Sequence, residues 1–388
     1  MLNKNLASRI QSIDWDYAGS ASQSPFSAIH WHPCRIVSQI PASLIGLLTR
    51  KGEVVLDPFA GSGTVLVEAQ RLGRPAIGIE LNPVACLMAR AKTLRVRHEG
   101  ILADVEAIQN IITDSLFVER PPQKAPSAMT LVPTGVQLEK WYTRNVQEQL
   151  GFLWERIAIL RGRKKLLAQA AFSAILLKVC RETRHWGYVC DNVTPQSSRE
   201  ALPLAAICDS LDKFSLAYAA RDEFVFREDR ISGPIPPVNI LQGDARILSG
   251  RIPDNSVSLV LTSPPYFGVC DYIKAQRLSM EWFEHDIEPL RLTEIGARSK
   301  RHRQAAVDDY LSELGQVFAE VPRCLKAGGH LALIIGESDR RRGVVEEVKS
   351  VLERTGFIFE LEKRRNISVQ RRQAPSLLTE RLLIMRHK

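Results

Sequence analysis

The sequence has no apolar stretch long enough to cross a bilayer and no spacing of cysteine and histidine that is typical of zinc sites. The best membrane candidate, residues 168–179, falls short of the roughly 20 residues that a transmembrane helix needs and contains Lys178. The first residues lack the apolar core of a signal peptide. The seven cysteines are an odd number without paired short spacings, so we interpret them as free thiols and predict no metal site. These absences predict a cytoplasmic protein without a membrane partner.

Acidic residues are in the minority, with 43 Asp and Glu against 52 Lys and Arg, and the net charge is +9. A basic surface favours polyanions, because contacts to phosphates release counterions. One basic cluster is as readily explained as a solvated face, but several in one chain favour nucleic acid as the partner. The clusters lie at residues 161–165, 298–303, 340–342, 364–365 and 371–372.

Apolar runs of strand length alternate with helical patterns near the start of the chain. A polar, poorly ordered lead-in is predicted over residues 1–30, with some order near Trp15 and Tyr17. Strands predicted at 54–56 and 76–80 flank a helix at 63–72 and form a β-α-β unit, so they should be parallel with a right-handed crossover. Further helices are predicted at 36–48 and after Asn82.

The alternation stops at residue 95 and resumes near residue 239. The intervening residues show helical periodicity, with long helices predicted at 137–160 and 164–181. Later strands are predicted at 239–244, 257–261 and 330–335, and a terminal antiparallel pair at 357–361 and 381–385. The layout predicts an α/β fold: a doubly wound, mostly parallel sheet with a helical insertion after its second strand. The predicted parts are residues 1–95, 96–237 and 238–388.

A glycine-rich turn follows the first predicted strand, with the sequence Asp-Pro-Phe-Ala-Gly-Ser-Gly-Thr at 57–64. Glycine is needed where a ligand approaches the backbone, and Glu80, at the end of the next strand, can take both hydroxyls of a ribose. A dinucleotide-binding turn shares these features, but Leu66 stands where its third glycine would be. Asp57 would sit badly beside a pyrophosphate and suits a cationic ligand, such as S-adenosylmethionine.

A second motif, Thr-Ser-Pro-Pro-Tyr at 262–266, follows the predicted strand 257–261. Together with the turn at 57–64 it resembles the paired signatures of S-adenosylmethionine-dependent DNA amino-methyltransferases, which methylate cytosine N4 or adenine N6. The resemblance spans about residues 27–90 and 239–388. It implies a seven-stranded class I methyltransferase sheet with an antiparallel terminal strand.

The resemblance also implies roles for individual residues. The cofactor, S-adenosyl-L-methionine, would contact His32, Asp57, Phe59, Gly61, Gly63, Thr64, Glu80, Leu81, Asn82, Asp244 and Ala245. Asp244 would meet the adenine amine, although a turn or cap role is open for it, and His32 could equally be a packed histidine. The catalytic residues would be Ser263, Pro264, Pro265 and Tyr266.

An exocyclic amine is a poor nucleophile, because its lone pair is delocalised into the base. The Ser263 hydroxyl and the Pro264 carbonyl would accept its two N–H bonds and localise that lone pair, while Tyr266 would stack on the flipped base. Methylation of cytosine carbon 5 would need a cysteine where Ser263 stands. Serine as the first residue of the motif is more typical of enzymes that act on cytosine N4 than on adenine N6.

Two further functions compete with this interpretation. An RNA guanine-N2 methyltransferase has a similar catalytic motif, but usually carries a longer segment before the first strand and Asn or Asp in place of Ser263. A catalytically inactive nucleic-acid-binding protein is a third hypothesis, and the two intact motifs argue against it.

The expected substrate is double-stranded DNA, and a separately encoded restriction endonuclease is a possible partner. The predicted insertion is the candidate for reading the DNA sequence, although it falls between the second and third strands rather than between the third and fourth. Its arginines and aromatics could equally be a packing cluster, and a loop at 268–303 could close over the base. The DNA-binding candidates are Arg181, Arg184, Trp186, Arg298, Lys300 and Arg301.

Overall fold

Seven strands form one sheet in the order β3-β2-β1-β4-β5-β7-β6 in the computed structural model. The structure describes residues 4–17, 24–30, 32–113, 132–182, 195, 200–227, 233–302, 304–338, 343–367 and 377–387. The strands are β1 (Val55–Asp57), β2 (Ala76–Glu80), β3 (Val238–Gln242), β4 (Val257–Thr262), β5 (Leu325–Ser338), β6 (Phe357–Asn366) and β7 (Leu377–His387).

All strand pairs from β3 to β5 are parallel, and β7 runs antiparallel to both β5 and β6. The doubly wound fold, the parallel pair β1–β2 and the terminal antiparallel pair are therefore confirmed. This order is that of the class I methyltransferase sheet. It reverses between β1 and β4, and ligands of open α/β sheets bind at such a reversal, beyond the carboxyl ends of the strands.

The helices in the described residues are α1 (Lys4–Ser12), α2 (Gln39–Leu48), α3 (Thr64–Arg71), α4 (Pro83–Lys92), α5 (His98–Thr113), α6 (Leu138–Trp141), α7 (Arg144–Ile159), α8 (Gly162–Val179), α9 (Pro203–Arg227), α10 (Arg277–Trp282), α11 (Ile287–Thr293), α12 (Ala306–Cys324) and α13 (Val344–Arg354). None of them is both long and apolar enough to cross a bilayer.

The sheet is covered on both faces, so its central strands β1 and β4 are buried along their whole length. All six residues of β4 are buried. Helices α2 and α3 pack on one face, through side chains such as Leu44 and Leu66. Helices α12 and α13 pack on the other face, through side chains such as Phe318 and Leu352. This arrangement holds the ends of β1 and β4 rigidly side by side.

Helices α5 to α9 lie between β2 and β3 and share a large apolar core with α4 and α10. Its largest members, which are fully buried, include Trp141, Phe172 and Trp282. The helix predicted at 137–160 is instead interrupted, because Thr143 adopts extended backbone and begins α7 as its N-cap. The division of the chain at 95/96 and 237/238, and the use of the middle part in recognition, stay predictions.

The prediction of a poorly ordered lead-in is wrong for helix α1, whereas the order predicted near Trp15 and Tyr17 is confirmed. Helix α1 buries Ile10 completely, and Trp15 is only 4% exposed. The indole N–H of Trp15 donates a 2.9 Å hydrogen bond to the Ile10 carbonyl. These two side chains belong to the core under α2 and α3, so apolar burial orders a segment whose composition is mostly polar.

Candidate active site

The two sequence motifs meet at the carboxyl edge of the sheet. Strand β1 ends at Asp57 and the neighbouring parallel strand β4 ends at Thr262. The Thr262 hydroxyl donates a 2.6 Å hydrogen bond to Oδ1 of Asp57, and both residues are buried. The glycine-rich turn and the Ser-Pro-Pro-Tyr turn are therefore joined directly, although they lie far apart in the chain.

The turn after β1 requires its glycines. Gly61 and Gly63 have φ of +50° and +85°, in the left-handed region that favours glycine. A Cβ on Gly63 would lie 2.9 Å from Cβ of Ala89, so α4 could not pack where it does. The result is a tight turn that exposes main-chain groups to the space above the sheet.

Glu80 is held by main-chain donors on both oxygens. The N–H of Gly61 donates to Oε2 at 2.7 Å, and the N–H of Asn82 donates to Oε1 at 2.8 Å. Burial raises the pKa of Glu80, and these hydrogen bonds oppose that shift. Each carboxylate oxygen keeps a further lone pair, so the group can still accept hydroxyl donors from a ligand.

Asn82 is used chiefly by the protein itself. Its Oδ1 caps α4 by accepting the N–H groups of Val84 at 2.9 Å and Ala85 at 3.2 Å. Its amide N–H donates to the Tyr272 carbonyl at 3.3 Å. Asn82 thus connects the cofactor side of the cleft with the loop after the catalytic turn.

Asp57 titrates in an unusual range. Burial raises its pKa to about 7, while the hydrogen bonds from Thr262 and from the N–H of Phe59 lower it and the charge of Glu80 raises it further. A carboxyl group in this state gains most from a cation placed beside it, because the cation favours the charged form.

His32 lies over the glycine-rich turn. A Cβ on Gly61 would lie 3.2 Å from Cε1 of the ring, so the imidazole covers this glycine closely. The ring nitrogen Nδ1 donates to the Pro33 carbonyl at 2.9 Å, which leaves Nε2 as an acceptor. Burial lowers the pKa of His32 to about 4, so the ring is neutral near pH 7.

The catalytic turn is held by two tyrosine hydroxyls from other segments. Tyr310 donates to the Pro265 carbonyl at 3.0 Å. The N–H of Tyr266 donates to the hydroxyl oxygen of Tyr272 at 3.2 Å. No hydrogen bond among the described residues engages the Pro264 carbonyl, so that oxygen is available for a substrate.

The ring of Tyr266 is almost fully enclosed. It is 4% exposed and packs with Ile367, Cys34 and Val269. Its hydroxyl accepts from the Ser263 hydroxyl at 3.1 Å and donates to Glu380 at 2.7 Å. Stacking of a base on this ring stays a prediction, and it would require the covering side chains to move.

Asp244 lies in the turn after β3 and is already paired with a nearby arginine. The guanidinium of Arg246 forms a salt bridge with the Asp244 carboxylate, with Nη2 2.6 Å from Oδ2. The same guanidinium reaches Glu313 at 3.1 Å. A ligand amine at Asp244 would therefore share the carboxylate with Arg246.

One cleft collects most of the predicted cofactor and catalytic residues. Those that line it are His32, Asp57, Phe59, Gly61, Thr64, Glu80, Leu81, Asn82, Asp244, Ala245, Ser263, Pro264 and Pro265. Gly63 and Tyr266 lie behind this wall.

Known proteins whose sequences resemble this chain are methyltransferases. The model of a DNA methylase family matches residues 10–91. Type II methyltransferase M.MjaII of Methanocaldococcus jannaschii is 20% identical, over 92% of this chain and 80% of that protein. M.MvaI of Kocuria varians is 23% identical, over 74% and 64%. M.BsoBI of Geobacillus stearothermophilus is 22% identical, over 80% and 65%. The chain thus spans slightly less than two thirds of the last two.

The chain resembles the DNA amino-methyltransferase family. Its cofactor is S-adenosyl-L-methionine. The chemistry of the site fits this cofactor. A Cβ on either glycine of the turn would meet a neighbouring group, and Glu80 is a carboxylate held by a main-chain N–H. A sulfonium or ammonium group of the cofactor would favour the charged form of Asp57. The particular contacts of each residue with the cofactor stay proposals.

Two residues that line the cleft, Tyr272 and Glu294, are not among the site residues predicted from the sequence. Tyr272 lies within the loop at 268–303 that was predicted to close over the base. Glu294 was not noted: it is buried, one of its oxygens accepts the N–H of Tyr272, and burial raises its pKa to about 8. Both line the cleft. A tyrosine directly after an acidic residue was a weak signal for the first, and Glu294 gave no signal.

The predicted DNA-binding residues are scattered. Arg184 and Trp186 lie outside the described residues. Arg181 follows α8, and its main-chain N–H donates to the Trp141 carbonyl at 2.7 Å. Arg298 is exposed, in a short 3-10 turn at Arg298–Lys300.

Lys300, the last residue of this turn, and Arg301, which follows it, contact residues outside the turn. The Lys300 ammonium donates to the carbonyls of Leu292, at 2.9 Å, and Glu294. Arg301 donates to His302 at 2.9 Å. Lys300 therefore helps to hold the segment that carries Glu294, whether or not it also contacts DNA.

Proposed function

We propose that this protein is a site-specific DNA methyltransferase that acts on an exocyclic amine, with cytosine N4 as the target. The observation that supports the chemistry best is the junction of the two motifs in one cleft, through the bond between Thr262 and Asp57. This bond places the glycine-rich turn at 57–64 beside the turn at 262–266, which carries the Ser263 hydroxyl and the Pro264 carbonyl.

The catalytic turn suits an amine substrate. When bound, S-adenosylmethionine supplies a methyl group that is already electrophilic. The Ser263 hydroxyl and the Pro264 carbonyl would each accept one N–H of the target amine, which draws its nitrogen towards tetrahedral geometry. The bonds from Tyr310 and Tyr272 hold this turn before substrate arrives, so orientation is the main contribution of the protein. No covalent nucleophile is needed.

The choice of cytosine rests on Ser263. In related enzymes serine at this place is more typical of cytosine N4 methylation, whereas Asp is more typical of adenine N6.

The substrate that we propose is double-stranded DNA with a flipped target base. The exposed cluster at residues 161–163 begins α8, and Arg298 lies on the loop beside the cleft. The basic cluster at residues 161–163 would contact DNA phosphates, and Arg298 would lie nearer to the target base. A separately encoded endonuclease as partner, and a cytoplasmic location, belong to this proposal.

The deciding experiment incubates the whole protein and labelled S-adenosylmethionine with DNA of mixed sequence, and with RNA in a parallel reaction. The DNA is digested to nucleosides, and the methylated nucleoside is identified by mass. N4-methylcytosine is the expected product. N6-methyladenine would retain the reaction but move the target base, and labelling of RNA alone would overturn the DNA assignment.

A further inference from the structure

A line of hydrogen bonds leads from the catalytic serine away from the cleft. The Ser263 hydroxyl lies 3.1 Å from the Tyr266 hydroxyl, and this hydroxyl lies 2.7 Å from Oε1 of Glu380. Glu380 stands on β7, and its Oε2 accepts from Arg365 at 2.9 Å. Arg365 lies directly opposite it on β6. The whole line is largely buried, with side-chain exposures of 13% for Glu380 and 4% for Arg365.

The carboxylate end determines the direction of every hydrogen in this line. A carboxylate paired with a guanidinium has only acceptor oxygens, so Tyr266 must donate to Glu380. With its one hydrogen used in this way, the Tyr266 oxygen can only accept from Ser263. The Ser263 hydrogen then points away from the cleft, and the lone pairs of its oxygen remain for a ligand.

We propose that Glu380 is a positioning residue of the transfer reaction, which acts through Tyr266 to make Ser263 an acceptor. The inference deepens the proposed function and rests on it. A target amine offers N–H donors, and these need a lone pair in front of them. If Ser263 could turn its hydrogen towards the cleft, it would oppose the amine and would accommodate a carbonyl oxygen equally well.

The same line gives the site a means of selection between bases. Cytosine carries an amine where thymine and uracil carry a carbonyl oxygen. An acceptor that cannot become a donor rejects the carbonyl, because two acceptors would face each other without a hydrogen. Glu380 therefore contributes to the choice of the amine without contact with the base.

The first arm of the test is a double-mutant cycle in single-turnover methylation of the mapped DNA site. Glu380→Leu should slow methyl transfer by about tenfold, which corresponds to one well-oriented hydrogen bond. In the Ser263→Ala background the same change should have no further effect, because the residue through which Glu380 acts is gone. An equal loss in both backgrounds, or no loss in either, would overturn the inference.

The second arm does not depend on turnover. Binding is measured, in the presence of demethylated cofactor, for two duplexes that carry either the target amine or a carbonyl in its place. Wild-type protein should prefer the amine, and Glu380→Leu should reduce that preference by about tenfold with little change in cofactor affinity. An unchanged preference would reject the positioning role.

Two variants guard against a purely structural effect. Glu362→Leu removes a carboxylate from the adjoining strand β6, where it pairs with Arg381, and should leave rate and preference unaltered. Tyr266→Phe interrupts the line while it leaves the pair of Glu380 and Arg365 intact. It should reproduce both losses even if Glu380→Leu does not fold. If wild-type protein methylates no DNA, the proposed function fails; if it does and these variants behave as wild type, only the inference fails.

Discussion

The two turns of the active site are held in opposite ways. The turn after β1 is determined locally, by glycines at positive φ and by Glu80 of the neighbouring strand. The turn after β4 is held from a distance, by the hydroxyls of Tyr272 and Tyr310 and by Glu380 through Tyr266. The turn after β1 is thus held by a short stretch of chain, whereas the turn after β4 depends on a loop, a helix and a strand that follow it in the sequence.

The largest expected effect is at the local turn. Gly63→Val should lower the free energy of unfolding by about 3 kcal/mol, because the new Cβ would meet Ala89 and valine resists φ near +85°. Gly52→Val is the matched control, since Gly52 has φ of +82° but no neighbour within 4 Å. Urea unfolding of both variants separates crowding from backbone strain. Equal losses of stability in the two variants would show that the contact with Ala89 adds nothing to the effect of backbone strain.

A smaller effect is expected when charge is removed from the same turn. Asp57→Asn should weaken S-adenosylmethionine binding by about 2 kcal/mol, because a charged hydrogen-bond acceptor is lost. Calorimetry of wild-type protein should also show affinity that rises with pH through about 7, as Asp57 passes from its neutral to its charged form. His32, whose pKa is about 4, stays neutral in this range.

Asp57→Asn should remove the rise in affinity near pH 7, whereas a further change near pH 8 would come from Glu294, whose pKa burial raises to about 8. Asp254→Asn, at an exposed carboxylate paired with Arg323, should keep the rise near pH 7. A wild-type affinity that is flat from pH 6 to 8 would contradict the role of Asp57 as the counter-charge.

The catalytic turn should respond in turnover and not in cofactor affinity. Ser263→Ala should lower kcat about tenfold, through loss of one acceptor for the amine, while calorimetry of the cofactor remains unchanged. A change in cofactor affinity as large as the change in kcat would place Ser263 in the cofactor site and remove the distinction between the two turns.

The smallest effect is expected at one of the distant supports. Tyr310→Phe should lower kcat a few-fold, since the Pro265 carbonyl loses one hydrogen bond worth about 1 kcal/mol and the ring stays in place. Tyr218→Phe is a comparable removal of a buried hydroxyl, in the helical part far along the chain, and should alter stability without a change in kcat.

Sequence reasoning succeeded where the determinants are local. Asp57, Gly61 and Glu80 follow from strand ends and glycine spacing, and the structure brings them to one cleft. The mostly parallel, doubly wound sheet followed from the alternation of patterns, and the terminal antiparallel pair from two apolar runs.

The supports of the catalytic turn could not be predicted in this way. Tyr266 and Glu380 lie 114 positions apart, and no pattern in a strand such as β7 reveals which side chain will reach a distant turn. The same difficulty applies to Ile10, which is fully buried in a mostly polar segment that the sequence predicted to be poorly ordered. The contact and the burial both depend on packing between segments that are far apart in the chain, and the periodicity of a sequence does not reveal such packing.

The hydrogen bond between Thr262 and Asp57 has a consequence for how this protein can vary. It joins two strand ends that are neighbours in the sheet, so the geometry of the cleft depends on their adjacency and not on the number of residues between them. If the helical part between β2 and β3 reads the DNA sequence, as the sequence predicts, that part can change in length and composition while the hydrogen bond between the two strand ends is kept.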